Sequence, residues 1–163
     1  MRYYGDIEED RPMLKIPSKV SIWLSIVLSV LFFVLLVASC FYLPLLIYMY
    51  MDLKGATVMN NTSEITAIAY AMVAVMMIAD VLLFILLQRV RKSLVFTDIS
   101  VALIRGISWC AVVLGALCFA LGFYFLIAFA IAFGCIFLGI CLRVTKNVIE
   151  EATAIKAEND FTI

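Results

Sequence analysis

The 163-residue chain is 66% apolar and only 15% charged, against roughly 45–50% and 25% in soluble domains, which excludes an ordinary water-soluble globule and indicates a membrane protein. Twelve Lys and Arg balance twelve Asp and Glu, so no net field draws the chain to nucleic acid or to a highly charged ligand. With no histidine, the usual metal ligand and general base is missing; no zinc chemistry, no Ser-His or Cys-His nucleophile, no cofactor and no enzymatic activity are expected.

Residues 1–19 form a charged arm broken by Pro12 and Pro17, which reads as a short cytosolic segment without a fold of its own. Residues 20–51 then carry no charge at all. A helix needs about 20 apolar residues to cross ~30 Å of hydrocarbon, so this window supplies span 1. It is too long for a signal-peptide core, and Pro44, Tyr48 and Tyr50 stand where a small-residue cleavage site would be, so it is expected to stay in the mature protein. The following loop contains Asn60-Asn61-Thr62 and Asn61-Thr62-Ser63, which match the glycosylation acceptor pattern, a frequent chance match.

Span 2, residues 65–88, holds a single charge, Asp80. A carboxylate at mid-bilayer costs about 2.5–3.5 kcal/mol on insertion scales and is rarely left facing lipid. One reading makes Asp80 a proton or cation site. The other makes it half of a buried polar pair that orients helices, with Arg105 as its partner.

The loop that follows carries Arg89, Arg91 and Lys92 and ends at Thr97 or Asp98, either of which can cap a helix, so span 3 is placed at residues 98–122. Residues 106–142 are again free of charge. As one helix they would reach about 55 Å, too far for a single crossing, so the chain must reverse. Gly122, followed by Phe123 and Tyr124, is the expected turn, and span 4 takes residues 124–142. Beyond it, Val144, Val148, Ala152 and Ile155 keep a helical spacing while Lys146 and Glu150 sit four apart on another face. Residues 143–163 therefore read as a cytosolic helix and tail.

Counting Lys and Arg by segment gives four in the arm, one in the first loop, four from 88 to 105, none at the Gly122 turn and three after Leu142. The positive-inside rule then places both termini and the 88–105 loop in the cytoplasm. Five cysteines, Cys40, Cys110, Cys118, Cys135 and Cys141, all lie in apolar windows and show no ligand spacing, so packing is their expected role. Small residues recur four apart in the last hairpin: Ala111 and Gly115, Ala116 and Ala120, Cys118 and Gly122, Ala130 and Gly134, Cys135 and Gly139. Such faces let helices approach closely in lipid, as an intramolecular seam or in a homo-oligomer. Ser25, Ser29 and Ser108 have no visible partner base.

Two stretches carry a resemblance. Residues 95–105, with Phe96, Thr97, Asp98, Val101, Leu103 and Arg105, resemble a pattern of Phe, a capping polar pair, an Asn-Val step and Leu-Arg. The ending Glu158-Asn159-Asp160-Phe161-Thr162-Ile163 is similar to a closing Glu-Asn-Asp-Leu-Thr-Ile. Both patterns belong to a bacterial family of small four-span membrane proteins known as domain of unknown function 2975. Ser100 stands where that family often has Asn, and Ile104 separates Leu103 from Arg105. The resemblance implies a protein of the bacterial cell membrane whose gene often neighbours that of a small helix-turn-helix DNA-binding regulator. It implies no substrate or cofactor.

The expected architecture is an all-α, integral membrane four-helix bundle with both termini cytoplasmic. Its expected role is non-enzymatic: a regulatory or sensory partner acting by protein contact on a helix-turn-helix regulator, without touching DNA itself. The docking residues would be Phe96 of the loop and Glu158, Asn159, Asp160, Phe161 and Ile163 of the acidic, apolar-tipped tail, since a basic DNA-binding domain is attracted by acid. The alternative is a small transporter or channel component that uses Asp80.

Overall fold

The computed structural model describes residues 18–54, 62–92, 94 and 96–160. Most of the N-terminal arm, Asn60 and Asn61 of the acceptor triplets, and Phe161 and Ile163 of the tail lie outside the described residues, as do the side chains of Asn159 and Asp160. The described chain is four helices and no strand: α1 (Ser18–Lys54), α2 (Thr62–Arg91), α3 (Asp98–Gly122) and α4 (Leu126–Asp160). Each is long and apolar enough to cross a membrane. The protein is thus an all-α, multi-pass membrane protein.

Local chemistry accounts for the helix ends. Thr97 is extended (φ −144°, ψ 149°) and caps α3, its hydroxyl accepting from the Ser100 N–H at 3.4 Å. The Ser100 hydroxyl in turn donates to the Leu94 carbonyl at 2.9 Å, tying the loop to the first turn of the helix. Acidic Glu64 and Asp98 open α2 and α3, and Arg89 and Arg91 close α2, each charge placed against the opposite end of a helix dipole. At the far end of α3, the N–H groups of Tyr124 and Phe125 both bond the Leu121 carbonyl at 3.0 Å. After only Phe123, Tyr124 and Phe125, α4 begins.

Pro44 lies inside α1. Proline has no N–H, so the carbonyl four residues earlier, that of Cys40, loses its helical donor. Tyr70 of α2 makes good the loss, donating its hydroxyl to the Cys40 carbonyl at 3.2 Å. Where no water reaches, a freed carbonyl needs such a partner.

Packing follows chain order: α1 on α2, α2 on α3, and α3 most extensively on α4. The α3–α4 seam is made by small residues. A Cβ added at Gly115 would come within 2.6 Å of Ile136 Cγ1 and 3.2 Å of the Ala132 carbonyl, and one at Gly139 would meet Val112 Cγ2 at 2.9 Å. The Ser108 hydroxyl, buried in this seam, donates to the Gly139 carbonyl at 2.8 Å. Gly122 leaves room for the ring of Phe129, which packs edge-on with Phe119 and Phe123. Not every small residue joins in: Gly134 faces open space and Ala130 is exposed. Between α2 and α3, Gly106 lies against Leu82.

Two ends can be told apart. At one, Arg91 lies over the Trp23 ring at 5.1 Å and Arg143 over Trp109 at 4.5 Å. Tryptophan prefers the membrane–water interface and draws a neighbouring guanidinium over its face, so these pairs mark the level of one membrane surface. At the other end, Tyr124 donates to the Glu64 carboxylate and Tyr50 packs edge-on against Phe125.

Candidate functional site

Asp80 is buried, with 6% of its surface exposed, on the face of α2 that meets α1. Its Oδ1 accepts a hydrogen bond of 2.9 Å from the hydroxyl of Ser29, itself 5% exposed. The two helices are antiparallel neighbours, and Ser29 and Asp80 stand at matching depth, nine residues after the start of the first charge-free window and eight before the end of the second. Ser25, one turn before Ser29, spends its hydroxyl on the Ser21 carbonyl within α1. The second carboxylate oxygen, Oδ2, takes no hydrogen bond among the described residues. Because no sealed side-chain oxygen lacks a partner among the described residues, Oδ2 keeps an accessible edge.

Asp80 and Ser29 sit at the meeting of two clefts, one on either side of the α1–α2 contact. The larger, about 470 Å³, is walled by Leu28, Phe32 and Leu35 of α1 and by Leu83 and Leu87 of α2. The smaller, about 220 Å³, is walled by Phe33, Val34, Val81 and Phe84. In both clefts the walls come from these two helices alone, so the openings are lateral.

Arg105 is not the partner of Asp80. Its Nη2 lies 3.5 Å from Oε1 of Glu150, with about half of each side chain exposed, and Lys146 bonds the other oxygen of the same carboxylate. The reason is the helix period. Gly106 is the residue that faces α2, against Leu82, and the residue before it points about 100° away around the axis. Arg105 is thereby turned toward α4, and the buried polar pair is Ser29 with Asp80.

The sequence marks Asp80 as chemically interesting but leaves Ser29 without a role. The missing signal was the matched depth: a hydroxyl on span 1 and an acid on span 2, equally far from the same face, meet when the two spans pack antiparallel. The other expected site residues lie at the basic end. Phe96 is exposed, as are Leu94 and Ile99 beside it. Glu158 is exposed on the last turn of α4, and Asn159 and Asp160 complete that turn.

The five cysteines are unpaired thiols, with Cys118 buried in the α3–α4 seam and Cys141 exposed. Among the described residues no three His, Cys, Asp or Glu side chains come together as a metal cage.

No curated protein and no solved structure matches the chain. The family described as "Protein of unknown function (DUF2975)" matches over residues 17–163, which is nearly the whole length, and the chain belongs to that family.

Proposed function

We propose that this protein is a non-enzymatic regulatory or sensory partner in the bacterial cell membrane, acting by protein contact at its basic end. The excess of Lys and Arg at that end supports placing it, and both termini, in the cytoplasm. The observation that carries the proposal is the length of α4. It continues as one helix to Asp160, and the 17 residues after Arg143 project about 25 Å past the Trp109–Arg143 level. A helix that leaves the bilayer intact, exposing Val148 and Ile155 on one side and Glu150, Glu151 and Glu158 around it, is a surface for another protein.

The partner favoured by the acidic tail and by the family resemblance is a helix-turn-helix regulator, whose basic surface complements these carboxylates. The test is a crosslinking pull-down of the neighbouring regulator by the full chain and by a form lacking residues 158–163. Loss of recovery with the truncated form is expected, and undiminished recovery would remove the dock.

A second reading draws on the accessible Asp80 oxygen: a small transporter or channel component. Against it, the two clefts that reach Asp80 are lined by apolar side chains apart from Ser25, Ser29 and Asp80 itself. Ion flux into liposomes that vanishes with Asp80→Asn would restore it.

A further inference from the structure

The Ser29–Asp80 pair has more capacity than a structural hydrogen bond uses. A hydroxyl and a carboxylate joined at one oxygen would orient two helices equally well in a tightly closed seam, yet here the acid borders open clefts on both sides. The group is more than nine-tenths buried, one of its oxygens is unbonded, and no Lys or Arg among the described residues pairs with it. Arg105, the cation expected from the sequence, lies against Glu150 instead.

We propose that the larger α1–α2 cleft is a binding site for a lipophilic cation: an apolar molecule with a single positive charge, entering sideways from the bilayer. The walls fit the apolar body. Leu28, Leu35, Leu83 and Leu87 with the ring of Phe32 border an open groove of about 470 Å³, inside the roughly 300–1,000 Å³ range of small-molecule sites. Asp80 fits the charge. A carboxylate held among hydrocarbon is unfavourable unless an opposite charge comes close, and a cation that dissolves in lipid supplies that charge without a water-filled path. A soluble metal ion is a poor match, because only one carboxylate and two serine hydroxyls border the cleft where a hard cation takes six or more oxygens. Ser29 acts as a positioning residue, holding Asp80 at the cleft through Oδ1 and leaving Oδ2 for the ligand. The proposal concerns binding alone and needs neither the tail contact nor transport.

The test is equilibrium dialysis of radiolabelled tetraphenylphosphonium against the purified full chain in detergent micelles, with empty micelles as the partition blank. Saturable binding near one per chain is expected. Asp80→Asn should weaken it at least tenfold, since the amide retains an oxygen to accept from Ser29 but has lost the charge; its circular dichroism and melting should match the parent protein. Leu83→Trp, which keeps the carboxylate and fills the cleft, should weaken binding to a similar degree. Neutral triphenylphosphine oxide should bind the parent at least tenfold more weakly than the cation. Binding of the cation that is unchanged in both variants would overturn the site, as would parent binding no greater than that of empty micelles. Equal binding of the oxide and the cation would overturn the claim that charge selects the ligand.

Discussion

Between α3 and α4 the backbones meet at Gly115 and Gly139, whereas between α1 and α2 they are held apart by leucine and phenylalanine and joined at points. The consequence shows in burial: 28% of the apolar stretch of α3 is buried, against 11% in α1 and in α2. The first hairpin is the more apolar of the two yet the less buried, so the difference lies in residue size. Lipid tails are as apolar as leucine, and helices in a bilayer gain little from hiding leucine from them; close contact and hydrogen bonds do the joining. The second hairpin has the close contact. The first relies on Ser29 with Asp80 and on Tyr70 with the Cys40 carbonyl, and its unfilled space becomes the clefts. One half is therefore a stiff support for the α4 extension, and the other is the part with room for a ligand.

The largest test of that contrast is Gly115→Leu. Even a Cβ at this position would collide with Ile136 and crowd the Ala132 carbonyl, and backbone cannot move aside cheaply in a packed seam. A loss of about 3 kcal/mol or more is expected in reversible unfolding in micelles, through separation of α3 from α4. Gly134→Leu is the internal control. It lies on α4, the other helix of the same hairpin, facing open space, so a change within about 0.5 kcal/mol is expected. Equal losses at both positions would show that the seam is not where stability resides.

Next in size is Tyr70→Phe. The hydroxyl serves a carbonyl that Pro44 leaves without a donor, and a bond between transmembrane helices is worth roughly 0.6 kcal/mol on average and up to about 1.7. A loss near 1 kcal/mol is expected, shrinking toward zero in a Pro44→Ala background, where the restored N–H serves Cys40 itself. A double-mutant cycle measures this directly. Additivity of the two changes would mean that the hydroxyl contributes independently of the carbonyl that Pro44 frees.

The number of helices and their membrane-spanning character were legible in the sequence, because an unbroken absence of charge over residues 20–51 and 106–142 has few physical explanations. Which helix faces which was much less so. In a soluble protein the apolar stripe of a helix names its buried face, but in α1 nearly every side chain is apolar and most are exposed to what would be lipid. Orientation about the axis is carried by the few small and polar residues. That is why the glycines of the last hairpin point to a close-packed seam, while the pairing of Asp80 could not be read from charge alone. Arg105 was the obvious cation, yet one step of the helix turned it toward Glu150. Depth from a shared membrane face, compared between antiparallel spans, would have selected Ser29.

The smallest effect is expected where charges are most numerous. Glu150 joins Lys146 on its own helix to Arg105 at the start of α3, and at first sight this cluster braces the α4 extension. About half of the Glu150 and Arg105 side chains is exposed, however. Exposed ion pairs lose most of their attraction to water and salt, and long side chains lose entropy when they are fixed. Glu150→Gln should therefore leave the melting temperature unchanged at 0.15 M salt, and helicity by circular dichroism should not fall. If the extension instead frays when that charge is removed, its order depends on the ion cluster, and the glycine seam above it supports less of α4 than the contrast between the two hairpins requires.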